Sequence, residues 1–161
     1  EPVGPFLVSN TEPQTSNVST PNIIISEVMV GKTENADYEF VEIWNAENVM
    51  LDLTGWAVKK RTSTGSESIL VSSKSFEGKA IAPKSHFLIA DSAGYSGPIP
   101  ADLLWPVSYS LAYTKNTVLL IRPDGSVSDS VYWEEIYKDR SYARTSLPNG
   151  SFQISDPSPR Q

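Results

Sequence analysis

The chain has 161 residues, no cysteine, a single histidine and a formal net charge of −6. Without a thiol there are no disulfides, zinc–thiolate sites, iron–sulfur clusters or cysteine nucleophiles. The acidity argues against nucleic acid, whose affinity depends on Lys and Arg neutralising phosphates. The 39% hydrophobic content supplies one real core, and no apolar run approaches the roughly 18 residues that span a bilayer.

The chain begins at Glu1 with no basic stretch leading into an apolar one, so a leader already removed or a piece of a longer protein is expected. Residues 1–21 are rich in Pro, Ser, Thr and Asn and read as a linker. Only Phe6-Leu7-Val8 has the composition to pack there, as a strand at a domain edge. Order is expected from Ile23. Ile23 to Val30 is β-branched and of the right length for a buried strand, and Tyr38 to Asn45 is a second. In the second, Val41 and Ile43 form an aliphatic face, while Tyr38, Phe40, Glu42 and Trp44 form an aromatic and acidic one. Trp56 to Arg61 follows, its cations ending in water, then short strands over Ser68 to Val71 and Phe76 to Ile81. His86 to Ala90 and Thr117 to Arg122 are strands, and Ser126 to Trp133 returns from the turn Pro123-Asp124-Gly125. No apolar residues recur at helical spacing over three turns. The pattern is all-β and points to a sandwich or barrel over residues 22–135, with residues 136–161 a C-terminal extension packed on it.

Little of this sequence carries chemistry. His86 lies within a strand, with no G-x-S-x-G elbow, and reads as a solvent-facing or capping residue. Gly94 and Gly97 precede no helix, so they form no phosphate cradle. Glu27 and Glu42 sit on neighbouring strands, but no cleft-forming insertion surrounds them, and surface or edge positions are expected. Glu34, Asn35, Asp37 and Glu39 cluster in one turn and could offer oxygens to calcium, yet lack the spaced Asp pattern of a calcium loop. Otherwise no cofactor is expected. Tyr38, Phe40 and Trp44 are the binding candidates: exposed, they would stack on sugar rings or partner side chains, unless a neighbouring strand or the tail covers them. Lys59-Lys60-Arg61 reads as a solvated strand end, and Asn17 and Asn149 head sequons.

In order and closely spaced, Ile25-Ser26-Glu27-Val28-Met29, Glu39 to Asn45 and Leu51-Asp52-Leu53-Thr54-Gly55-Trp56-Ala57-Val58 resemble the lamin tail domain. Ile81-Ala82-Pro83-Lys84, Ala101 to Trp105 and Thr117 to Ile121 extend the resemblance to about Trp133. Ser141-Tyr142-Ala143-Arg144 and Asp156-Pro157-Ser158-Pro159 look like closing elements of bacterial members, which implies that Arg144 anchors the tail on the domain. The resemblance implies an immunoglobulin-like β-sandwich that serves as an accessory module of a bacterial extracellular or cell-envelope protein, and the missing catalytic motifs make it one expected to catalyse nothing. The expected partner is a protein or surface polymer, met through a strand edge or the Phe40/Trp44 face. A carbohydrate-binding module, calcium-assisted or not, is the alternative. Homodimerisation through an edge strand is open to any such sandwich.

Overall fold

The structure, a computed structural model, describes residues 22–106 and 108–161. Phe6 to Val8 and the sequon at Asn17 lie outside the described residues. The strands are β1 (Ile23–Val30), β2 (Glu39–Asn45), β3 (Leu51–Asp52), β4 (Ala57–Arg61), β5 (Glu67–Val71) and β6 (Ala80–Ile81). They continue with β7 (His86–Asp91), β8 (Leu103–Trp105), β9 (Thr114–Ile121), β10 (Val127–Glu135), β11 (Ser141–Arg144) and β12 (Phe152–Ser155). The order β12-β11-β1-β2-β7-β8 makes one sheet and β10-β9-β4-β5 the other, with a small β3-β6 pair at the end. This is an immunoglobulin-like β-sandwich.

Phe76 to Ile81 is not a continuous strand. Ser73–Phe76 forms a 3-10 turn that drops Phe76 into the core, and only Ala80–Ile81 pairs, against β3. The Ser-rich stretch before Phe76 favours local turns over a ladder.

Val41 and Ile43 of β2 fill the core with Trp56, Val58, Val118, Leu120, Val131 and Trp133. In β1, strict alternation fails: Ile23, Ile25, Val28 and Val30 all face inward. A β-bulge accounts for this, because the register shifts by one residue and places Glu27, not Ser26, opposite Glu42. The indole N–H groups of two buried tryptophans find acceptors, Trp105 Nε1 donating to Tyr109 O and Trp133 Nε1 to Ala112 O, each at 2.9 Å. At the β9–β10 hairpin, Gly125 has φ of +86° and the Asp124 carboxylate accepts from Ser126 N at 2.9 Å.

Residues after β10 are part of the same sandwich. β11 pairs with β1 and β12 with β11, extending the six-stranded sheet. Arg144 fastens this extension: its Nε donates to Ile25 O at 2.8 Å and its guanidinium meets Asp129 at 2.7 Å. Asp129 belongs to β10 in the other sheet and also accepts from Ile25 N at 2.8 Å, so the cluster ties the two layers together.

Candidate functional site

The outer face of the six-stranded sheet carries every side chain expected to bind, and the structure covers it. Phe40 is 0%, Tyr38 7% and Trp44 9% exposed. Strand alternation correctly groups them on one face. It says nothing of what later segments lie across that face, and two do. The loop between β7 and β8 brings Tyr95 to 5.0 Å from Tyr38 and edge-on to Phe40 at 6.2 Å, with Ile99 and Ala101 beside them. The loop fits closely because Gly94 passes against Asp37, where a Cβ would lie 2.3 Å from backbone, and Asn35 Nδ2 donates to Gly94 O. Lys84 lies over the Trp44 ring at 5.4 Å. The rings are therefore packing residues, not an open stacking platform.

The second covering segment is the chain's last stretch. Glu27 and Glu42, expected at the surface or an edge, are 2% and 1% exposed and face each other across β1 and β2. Ser158 donates to Glu27 through its backbone N–H at 2.8 Å and its hydroxyl at 3.2 Å. Arg160 N donates to Glu42 at 2.5 Å, and the Arg160 guanidinium pairs with Asp102. Asp102 is fixed in turn by accepting from Leu88 N at 2.8 Å. Buried carboxylates need such donors. Burial pushes the Glu27 carboxyl above its usual range, the Ser141 and Ser158 bonds hold it back, and the Glu42 charge adds to the rise.

Ser26, Glu42 and His86 meet in this cluster. Ser26 Oγ donates to Glu42 Oε1 at 2.6 Å, and His86 Nδ1 lies 2.8 Å from the same oxygen. Nucleophilic catalysis needs the imidazole between hydroxyl and carboxylate, so that it accepts the hydroxyl proton. Here the carboxylate stands in the middle, and the serine proton is committed to it. The cavity among Glu27, Glu42, His86 and Arg144 holds about 40 Å³, room for a water and no substrate. His86 is half-buried against Glu42 rather than solvent-facing.

The turn expected to offer calcium ligands does not gather them. Glu34 and Asp37 are exposed, whereas Glu39 is the first inward residue of β2 and accepts from Leu111 N with both oxygens at 3.1 Å. The parity of the strand separates it from its turn neighbours. Among the described residues, no three acidic or imidazole side chains are disposed to hold a metal ion. Burial raises the Glu39 carboxyl to about 8, against the Leu111 bond, with the charges of Asp91 and Asp37 adding and Lys60 subtracting.

The other outer face differs. The registers of β5, β4, β9 and β10 place Ile69, Lys59, Leu119 and Ser130 in one row, and Glu67, Arg61, Thr117 and Tyr132 in the next. Ala57, Ile121 and Val127 make a third row. Ile69 is 40%, Val127 47% and Tyr132 49% exposed. Both flanking strands are sheet edges among the described residues. Sequence reasoning missed this surface because Thr117 to Ile121 is apolar at almost every position, so its alternation is hidden.

No helix among the described residues is long and apolar enough to cross a membrane. No curated protein matches the chain. The family model described as Lamin Tail Domain matches residues 16–135, most of the sequence, and the chain belongs to that family.

Proposed function

We propose that the chain is a non-catalytic binding or anchoring module that meets a protein partner through the outer face of its four-stranded sheet. The observation that carries this reading is the row structure of that face. Ile69, Val127 and Tyr132 stand 40–49% exposed around the better-covered Ala57, Leu119 and Ile121, with Lys59 and Arg61 interspersed. Apolar side chains ringed by polar ones are the usual composition of a protein contact surface. The two edge strands, β5 and β10, add backbone groups that a partner strand can pair with. Against catalysis stands the employment of the ionisable side chains: Glu27, Glu42, Glu39, Arg144 and Asp129 all hold parts of the fold together.

The same reading sets the module in a bacterial extracellular or envelope protein, as the resemblance to bacterial members implies, and assigns it no cofactor. A second copy of the chain is one partner such a face admits. Carbohydrate binding loses its support, since it rested on Tyr38, Phe40 and Trp44 being open. Chemical cross-linking of the parent protein in its own cells tests the proposal, comparing wild type with the double variant Ile69→Lys, Tyr132→Lys. The expected result is loss of the cross-linked partner with the melting temperature retained. An unchanged cross-linking pattern refutes it.

A further inference from the structure

The last residues of the chain sit on the sandwich differently from its strands. β11 and β12 join by ladder pairing, but residues 156–161 run across β1 and β2 to Asp102 and are held by side-chain bonds, most of them to carboxylates of the surface. The donors are Ser158 N and Arg160 N, two residues apart, and the acceptors are Glu27 and Glu42, on adjacent strands. Pro157 and Pro159 have no N–H to leave unsatisfied, and the segment closes in a turn, with Arg160 at φ +63° and Gln161 N donating to Ser158 O at 3.2 Å. The guanidinium of Arg160 answers a third carboxylate, Asp102, at the far rim. Segment and surface therefore match in two ways: donor spacing and charge.

The surface also has more room than the segment fills. A groove of about 450 Å³ remains beside it, with Tyr38 at the floor over the buried Phe40 and Lys32, Ile99, Pro157 and Pro159 along the sides. That volume lies within the range of ligand clefts. The segment is held by polar bonds more than by burial: Asp156 pairs with Arg140 at 2.6 Å, yet Asp156, Arg160 and Gln161 are exposed and only Pro157, Ser158 and Pro159 are half-buried. With the segment lifted away, Glu27, Glu42 and Asp102 would present three carboxylates without those donors, a field that selects for cations.

We infer that this surface is a recognition site for a proline-punctuated, arginine-bearing peptide of a protein partner, and that the chain's own residues 156–161 occupy it as a displaceable strap. The site is separate from the four-stranded face, and neither needs the other. An intramolecular strap competes with an incoming peptide at high effective concentration, so the site opens only as often as the strap lifts. Partner binding would then be gated by strap opening, not by any rearrangement of the sheets.

Two measurements on the full chain test this. In wild-type protein, hydrogen exchange should show the Ser158 and Arg160 amides opening at least about tenfold faster than those of Tyr142 and Ala143 in β11, as a local event. Exchange of these amides only with global unfolding would overturn the inference, because the strap would then be part of the core. The second uses Arg160→Glu, which sets a carboxylate against Asp102 and loosens the strap. A fluorescent peptide with the sequence of residues 156–161 should bind this variant at least about tenfold more tightly than wild type. The same peptide carrying Glu in place of its Arg should not bind. Equal affinity for wild type and variant, or equal binding of both peptides, would contradict it.

Discussion

The two outer faces of this sandwich are built from strands of the same kind and end in opposite states. On the six-stranded sheet, Tyr38 and Phe40 are buried under the β7–β8 loop, Glu27 and Glu42 under the C-terminal strap, and Trp44 beside Lys84. On the four-stranded sheet, Ile69, Val127 and Tyr132 are left half-exposed. The difference does not lie in the strands' own composition, since the covered face is the more aromatic of the two and both carry charges. It lies in which segments return over each. A surface rich in binding-type residues can thus be interior, while a plainer one faces the solvent.

The comparison can be broken most forcefully at Phe40. If its face is core, Phe40→Ala removes a fully buried ring and should cost about 3–5 kcal/mol, read as a lower urea midpoint with an unchanged slope. A midpoint near that of wild type would mean the ring is not packed. Arg144→Ala tests the fastening that brings the C-terminal strands onto the sheet. It leaves Asp129 without its cation and Ile25 O without its donor, at a cost of about 3 kcal/mol, somewhat reduced by partial exposure. Chemical denaturation of the single variants and of Arg144→Ala with Asp129→Ala should show that the two losses are not additive.

A smaller effect probes the interior end of β2. Glu39 has an ordinary value of 4.5 and is raised to about 8 in the fold by burial. Between these two values the unfolded chain releases the proton that the folded chain keeps. Its contribution to stability is therefore full below about pH 4.5, falls across the window and is lost above about pH 8. Glu39→Gln keeps a carbonyl for Leu111 N and cannot ionise, so its melting temperature should fall less than that of wild type from pH 5 to pH 8, with Asp37, Asp91 and Lys60 unchanged in both. Parallel curves would show that Glu39 does not titrate in this way. The smallest effect belongs to the open face: Tyr132→Lys should leave stability within about 0.5 kcal/mol of wild type in thermal melts.

Much of the frame is legible in the residues. β1 stands at Ile23–Val30 as its composition indicates, and Val41, Ile43 and Trp56 lie in the core. These follow from local rules: β-branched runs, alternation and turn chemistry. The bulge at Ser26 is not legible, because the extra residue only shows once Ile25 and Val28 are both found facing inward. Nor is the fate of Glu27 and Glu42, which are covered by donors more than a hundred residues away in Ser158 and Arg160. Asp-Pro-Ser-Pro-Arg does carry a faint signal of its own, since backbone donors on alternate residues separated by prolines cannot form a strand ladder and suit a segment bound by side chains. The open face was hidden for the opposite reason. Residues Val118 to Ile121 are uniformly apolar, so which of them point outward is decided only by the register with β4 and β10.

Hydroxyl-radical footprinting of the intact chain compares the two faces in a single experiment. Rapid modification of Tyr132 and Ile69 is expected, with Tyr38, Phe40 and Trp44 protected until the protein unfolds. Modification of Phe40 or Trp44 as fast as that of Tyr132 under native conditions would contradict it.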